Sequence, residues 1–195
     1  MLPLPKNPLV DPSAAPSAPE YSAEERRLLL RLARDSIGAA LRRAAPGLVP
    51  PSAHLSEARG AFTTLHLHDR LRGCVGFVQP LRPLYQTVAE TAVAAAFNDP
   101  RFDPVSEDEA LLLKIEISVL SLLRPITPQE VEIGRHGLVV THRFQRGLLL
   151  PQVAVEHGWD RETFLAETCQ KAGLAPDAWL HGATVEAFTA EIFGD

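Results

Sequence analysis

A short stretch of the chain combines a nucleophile, a cation and two glycines: RLRGCVGFVQPL, residues 70–81. Cys74 follows Arg72 by two positions and lies between Gly73 and Gly76. A thiol reacts as its thiolate, and a neighbouring guanidinium favours that form. Glycine in a strand lets a ligand or another backbone approach closely, and exposed backbone amides can hold an anion. These residue types predict Cys74 as a catalytic nucleophile, with Arg72, Gly73 and Gly76 binding its substrate.

Strand alternation predicts the direction of the Cys74 side chain. Residues two apart share a face, so Arg72 and Gly76 are expected beside Cys74, facing a region that glycine leaves hollow, while Val75 and Phe77 face the main core. The alternative is that Cys74 packs as a small hydrophobic residue, as free cysteines commonly do. A nucleophilic thiol also requires a base. The sequence offers five candidates for that base: His66, His68, His142, His157 and Asp99.

A second candidate for a binding residue pair is NDPRF, residues 98–102, which contains Asp99 and Arg101. It follows a predicted helix, and loops at such positions often carry functional side chains. The alternative is a helix stop with an internal contact between the two charged side chains. His66 and His68 have the i, i+2 spacing of two metal ligands on one strand face, but no third ligand accompanies them, so no metal site is predicted. The sequence identifies no cofactor.

The composition excludes several classes of protein. The 195 residues carry a net charge of −5 with a pI near 5.8, which disfavours nonspecific nucleic-acid binding because that requires a concentrated basic surface. Two cysteines are too few for a disulfide framework, and no apolar run approaches the length of a membrane span. We therefore expect a reduced, cytoplasmic protein without a membrane partner.

The first half of the chain is predicted to contain a disordered tail followed by helices and strands. Residues 1–20 hold six prolines and predict a disordered tail, followed by one domain over 21–195. Ser22 and Glu25 form a capping box that begins an extra N-terminal helix, with order expected from Ser22. The later elements predicted here are strands over 61–68 and 72–78 with a turn at 69–70, a helix over 81–97, a short helix capped by Ser106 and Glu109, and a strand over 113–121.

The second half is predicted to repeat this plan. The predicted elements are strands over 136–143 and 146–155 with a turn at 144–145, a helix over 161–172 between Asp160 and Gly173 with Cys169 on its core face, and one or two strands over 183–193. The dipeptide at 72–73 recurs at 146–147, and the same offset of 74 places Ile115 opposite Thr189 and Cys74 opposite Leu148. We therefore predict an α+β fold of two hairpin–helix–strand units, a duplication that forms mainly antiparallel sheets flanked by helices.

Several blocks of the sequence resemble a known family. RLRGCVG, AAAFNDPRF, IEISVLS and GLLLPQVAVEHGWD occur in the order that is typical of the AMMECR-type domain, known in bacteria and archaea as AmmeMemoRadiSam system protein A. The resemblance covers residues 24–193. It implies an α+β fold in two lobes around antiparallel sheets. It also implies a shared pathway with Memo-type and radical-SAM proteins, with which genes of this family are associated.

The motifs and the resemblance together predict a component of a modification or redox pathway. Its cleft would be lined by six residues: Arg72, Gly73, Cys74, Gly76, Asp99 and Arg101. Whether Cys74 catalyses or the cleft only binds a substrate stays open at this point. A rival interpretation is a binding or scaffold module that docks a protein partner, and a weaker one is recognition of a nucleotide or RNA through Arg72 and Arg101.

Overall fold

Two antiparallel four-stranded sheets form the framework of the molecule. The computed structural model describes residues 19–45 and 47–195. The helices are α1 (Ala23–Leu41), α2 (Leu84–Phe97), α3 (Glu107–Leu112), α4 (Pro151–His157) and α5 (Arg161–Lys171). The strands are β1 (Ala61–Leu67), β2 (Arg70–Phe77), β3 (Lys114–Leu120), β4 (Arg124–Pro125), β5 (Gly137–His142), β6 (Gln145–Leu149), β7 (Thr184–Phe188) and β8 (Ala190–Gly194). Sheet 1 has the order β2-β1-β3-β8 and sheet 2 the order β4-β7-β5-β6, so the predicted α+β class is confirmed.

The two sheets share one construction. In each, a hairpin is followed by a helix and then by a strand that pairs with the hairpin's first strand: β1, β2, α2 and β3 in sheet 1, and β5, β6, α5 and β7 in sheet 2. The glycines of the repeated dipeptide play the same part, because a Cβ on Gly73 would meet the Ala95 carbonyl oxygen at 2.1 Å and one on Gly147 the Ala172 amide nitrogen at 2.2 Å. Each hairpin therefore packs directly on the backbone of its helix.

The residues of β3 and β7 that correspond in the two halves are not the predicted ones. Gly73 pairs with Leu65, which pairs with Ile115, whereas Gly147 pairs with Val140, which pairs with Val185. The counterpart of Ile115 is thus Val185 rather than Thr189, which lies between β7 and β8. The offset changes because the segments that connect helix and strand differ in length in the two halves.

Helices cover one face of each sheet, and the opposite faces meet each other. Sheet 1 packs against α1 and α2 through a core that includes Leu29, Leu65, Val88 and Ile117. Sheet 2 packs against α5 in the same way. A third cluster joins the helix-free faces of the two sheets and contains Leu120, Val139 and Phe188 with Phe62, Val78 and Leu148 beside them. The sheets therefore face each other with the sides that carry no helix.

The N-terminal contacts begin earlier than predicted. The capping box of Ser22 and Glu25 is confirmed, but Tyr21 is only 1% exposed and Glu20, assigned to the tail by sequence, bonds Arg59 through its side chain at 3.0 Å. The remainder of the predicted tail, residues 1–18, lies outside the described residues. No helix in the described ranges is long and apolar enough to cross a membrane.

Proline explains two further differences from the predicted elements. The predicted strand over 146–155 ends at Leu149, and α4 begins at Pro151 because proline lacks an N–H and suits the first turn of a helix. The helix predicted from residue 81 begins only at Leu84, after Pro83, which leaves Leu81 outside the helix and 79% exposed. The two hairpin turns also lie one residue earlier than predicted, at 68–69 and 143–144.

Candidate functional site

Cys74 lies on β2, the edge strand of sheet 1, on the face without helices. It pairs with Thr64, and the next residue on that face, Gly76, pairs with Phe62, which belongs to the cluster between the sheets. The thiol is intermediate in burial, whereas the other free cysteine, Cys169, is fully buried in the core of sheet 2. Burial raises the pKa of the Cys169 thiol. Cys74 is therefore only partly buried, so its packing role stays a prediction, while the predicted position of Cys169 on the core face of its helix is confirmed.

The backbone of Cys74 points to the free edge of the sheet, where the NDPRF loop binds it. The Cys74 N–H donates to Asp99 Oδ2 at 2.9 Å, and Arg101 Nη2 donates to the Cys74 carbonyl oxygen at 3.4 Å. An edge strand exposes alternate N–H and C=O groups that would otherwise pair with another chain. The two charged side chains occupy these groups in place of a neighbouring strand.

Asp99 is buried and charged. Its side chain is 3% exposed, and its Oδ1 accepts from the Arg101 backbone N–H at 3.1 Å and from Arg101 Nε at 3.0 Å. The Arg101 guanidinium and the Cys74 amide hold the pKa of Asp99 well below its usual range, and the same pairing raises the pKa of Arg101. Asp99 and Arg101 therefore contact each other and also lie beside Cys74, so the two alternatives for this loop do not exclude each other.

The thiol itself has one hydrogen-bond partner among the described residues. Thr64 Oγ1 donates to Cys74 Sγ at 3.3 Å. Thr64 also pairs with Glu116 on its other side, so Cys74, Thr64 and Glu116 form one row across the helix-free face of sheet 1. No histidine or carboxylate of the described ranges lies within hydrogen-bond distance of Sγ, and Asp99 contacts the backbone of Cys74 instead. The arrangement provides a fixed, partly exposed sulfur without a base in contact with it.

Arg72 takes a different position from the one predicted. The pairing of β1 with β2 shifts between Leu65 and His66, so that Leu65 pairs with Gly73 and His66 with Leu71, and Arg72 is the extra residue of a bulge. Its guanidinium binds Glu109 of α3 through both carboxylate oxygens, each at 3.0 Å. The expectation that Arg72 stabilises the thiolate is therefore wrong, because its charge is paired with a carboxylate.

Glu109 links that arginine to the start of α3. The Arg72 guanidinium, together with the Ser106 backbone N–H of the capping box, lowers the pKa of Glu109 to about 2. The predicted capping box is confirmed, and its glutamate additionally ties α3 to the edge of sheet 1. The pair therefore supports the site structurally and does not line it.

The two glycines beside Cys74 serve packing. The space beside Gly73 is occupied by the backbone of α2, and a Cβ on Gly76 would lie 2.2 Å from the ring of Phe62. The hollow expected on the Cys74 face at Gly76 is therefore filled by an aromatic side chain of the protein itself. Both positions require glycine because of these close approaches.

The histidines do not form a metal site in the described part of the chain. β1 ends at Leu67, so His66 lies on the strand and His68 lies in the hairpin turn with a φ of 52°. The two are therefore not on one strand face as predicted. No group of three or more histidine, cysteine, aspartate or glutamate side chains among the described residues is arranged to hold a metal ion.

Sequence reasoning missed two residues of this region. Thr64 faces Cys74 across the hairpin only because of the bulge at Arg72, since a regular ladder from the turn at 68–69 would have placed Thr63 opposite Cys74. The ion pair between Glu109 and Arg72 had no signal in the sequence, because 37 positions separate the two residues. Such a contact depends on how α3 packs against the edge of sheet 1.

Comparison with known proteins agrees with the fold and the motifs. The AMMECR1 family model matches residues 30–193. Protein PF1979 of Pyrococcus furiosus is 46% identical over 181 residues, which are 85% of this chain and 85% of that protein, and Protein MJ0810 of Methanocaldococcus jannaschii is 46% identical over 148 residues, 71% and 74% of the two chains. The crystal structure of the uncharacterized protein PH0010 from Pyrococcus horikoshii is similar with a TM-score of 0.72 at 43% identity, covering 86% of this chain and 90% of that one. The chain belongs to the AMMECR1 family.

Proposed function

We propose that this protein binds a substrate of a Memo- and radical-SAM-associated modification or redox pathway at Cys74, where the helix-free face of sheet 1 reaches the β2 edge. The observation that carries this proposal is the state of Cys74. Its N–H and C=O are held by Asp99 and Arg101 and its sulfur accepts from Thr64, yet the residue is only partly buried. A thiol that is both fixed and accessible suits contact with a ligand.

The geometry favours a binding role for Cys74 within that pathway. A self-sufficient thiol nucleophile needs a base in hydrogen-bond reach, and only the Thr64 hydroxyl is that close to the sulfur among the described residues. In the proposed division of labour, this protein positions the substrate and the Memo-type and radical-SAM partners supply the redox chemistry. Nucleotide or RNA recognition through both arginines receives less support, because Arg72 is bound by Glu109 and its side chain is only 13% exposed, which leaves Arg101 as the exposed cation of the two.

Alkylation of the folded protein by iodoacetamide, followed against pH, tests the accessibility of the thiol. Variants Cys169→Ser and Cys74→Ser each leave a single cysteine, so each is the control for the other. We expect Cys74 to react in the folded protein and Cys169 only after unfolding in urea, because Cys169 is fully buried. Equal inertness of the two thiols would refute the proposal.

The pathway role requires a separate measurement in cells that contain the Memo-type and radical-SAM genes. Cys74→Ser is expected to reduce the product of the pathway while capture of both partner proteins stays at the wild-type level. A matched Cys169→Ser strain should behave as wild type. Unchanged product in the Cys74→Ser strain would contradict the proposed contact with substrate.

A further inference from the structure

The edge of β2 continues past the NDPRF loop to Gly76. In an antiparallel pair, residues two apart turn their backbone groups the same way. Since the Cys74 N–H points away from β1 to Asp99, the N–H and C=O of Gly76 also point to the outer edge. Asp99 and Arg101 occupy the groups of Cys74, whereas those of Gly76 meet no partner within residues 19–45 and 47–195. One residue of this edge therefore remains open for strand pairing.

A cleft of about 360 Å³ lies beside that open position, and Gly76 itself forms part of its wall. Its apolar lining comes from Phe77, which is 46% exposed, and Leu81, which is 79% exposed, and α2 contributes Thr87 and Glu90. Suppose that an antiparallel strand paired with Gly76. The residue before the partner of Gly76 would then lie opposite Phe77, and its side chain would project toward α2 and enter this cleft. The cleft therefore suits one apolar side chain of an extended peptide.

Arg101 sets where such a peptide must end. Its guanidinium is anchored by Asp99 and lies at the Cys74 carbonyl, so a paired strand that is antiparallel to β2 cannot continue past Val75. The Arg101 side chain nevertheless remains 55% exposed. A C-terminal carboxylate at this point would meet a pre-positioned guanidinium, which binds carboxylates with strong charge-assisted hydrogen bonds.

We propose that the β2 edge captures the extended C-terminal segment of a partner protein. The penultimate residue pairs with Gly76, the third residue from the end places an apolar side chain between Phe77 and Leu81, and the terminal carboxylate binds Arg101. This mode combines strand addition with carboxylate capture. It does not rest on the reactivity of Cys74, because the thiol lies on the opposite face of the sheet from the cleft.

The test uses two libraries of hexapeptides with the last four positions randomised, one with free carboxyl termini and one with carboxamides. Each is passed over immobilised full-length protein, and the retained peptides are identified by mass spectrometry. We expect at least tenfold greater retention of the free-acid library, with apolar residues enriched third from the end. Leu81→Glu should abolish the enrichment, whereas Leu111→Glu, an equally exposed leucine on α3, should leave it unchanged.

Four outcomes would overturn the proposal. They are equal retention of acids and amides, absence of any enrichment over a blank support, enrichment that survives Leu81→Glu, and loss of binding in Leu81→Glu and Leu111→Glu alike. Because Leu81 and Leu111 are both highly exposed, both variants are expected to keep the wild-type circular dichroism spectrum and melting temperature.

Discussion

Asp99 connects two separate segments of the chain, and Asp99→Asn tests what that connection contributes. The carboxylate accepts from the Cys74 N–H and from the backbone and guanidinium of Arg101, with its side chain 3% exposed. Asparagine keeps one acceptor oxygen but removes the charge and adds an N–H₂ group that faces the N–H donors of Arg101. The substitution therefore preserves size and disrupts the hydrogen-bonding pattern.

The magnitude follows from the number and exposure of these contacts. Removing one partner of a fully buried ion pair costs roughly 3–5 kcal/mol, and each hydrogen bond to a charged group contributes about 1.5–3 kcal/mol. The Arg101 side chain is 55% exposed, so water replaces part of the interaction with the Asp99 carboxylate that Arg101 loses. We expect Asp99→Asn to lower the free energy of unfolding by about 2 kcal/mol at pH 7, as measured by urea denaturation.

The pH dependence provides an independent check with a definite sign. The pKa of Asp99 is depressed in the folded protein, so its stabilisation is fully present above the unfolded pKa near 4 and is lost as the pH falls below it. The stability difference between wild type and Asp99→Asn should therefore shrink at pH 3. Asp69→Asn is the matched control, since Asp69 is 82% exposed and its replacement should leave the midpoint of urea denaturation close to that of the wild type. An Asp99→Asn effect as small as that of the control would refute the reasoning.

Two further predictions concern the packing and the charge beside the site. Gly73→Ala should destabilise the protein by about 3 kcal/mol or prevent folding, because its Cβ would meet the Ala95 carbonyl oxygen at 2.1 Å. The control is Gly47→Ala, whose Cβ would meet no atom of the described residues within 4 Å and which should leave the melting temperature within a few degrees of wild type. Glu109→Gln should lower stability by about 1–3 kcal/mol at pH 7. Since the pKa of Glu109 is lowered to about 2, its contribution is lost between pH 4.5 and 2, so the difference in melting temperature should narrow over that window, and a constant difference would contradict the assignment.

The elements that depend on neighbours in sequence were predictable. The Ser22–Glu25 and Ser106–Glu109 capping boxes and the left-handed Gly173 after α5 are present as predicted, and both predicted hairpins form with their turns one residue earlier. Each requires only residues a few positions apart, whose side chains and backbone conformations interact directly. The repeated arginine–glycine dipeptide also located the duplication, because a glycine is needed wherever a hairpin packs on a helix backbone.

The details of the site were less predictable. Alternation indicated that Cys74 faces away from Val75, but the bulge at Arg72, two residues before Cys74, broke the alternation and turned that arginine toward Glu109. A single inserted residue changes which side chains share a face, and the sequence pattern contains no sign of it. The space beside Gly76 likewise depended on the ring of Phe62, which comes from another strand.

The last strands show the same division between local and distant interactions. The alternation over 183–193 predicted extended structure, which is correct, yet β7 joins sheet 2 and β8 returns to sheet 1. By itself the sequence determined four helices (α1, α2, α3 and α5), the two hairpins, the shared plan of the two halves and the family, because these depend on short-range patterns and on recognisable motifs. It predicted a strand where α4 lies. Only the tertiary structure decided that Cys74 is partly exposed, that Asp99 and Arg101 close the edge beside it, and that the two sheets meet through their helix-free faces. Those features arise from contacts between residues far apart in the chain, whose geometry depends on how all the elements pack together.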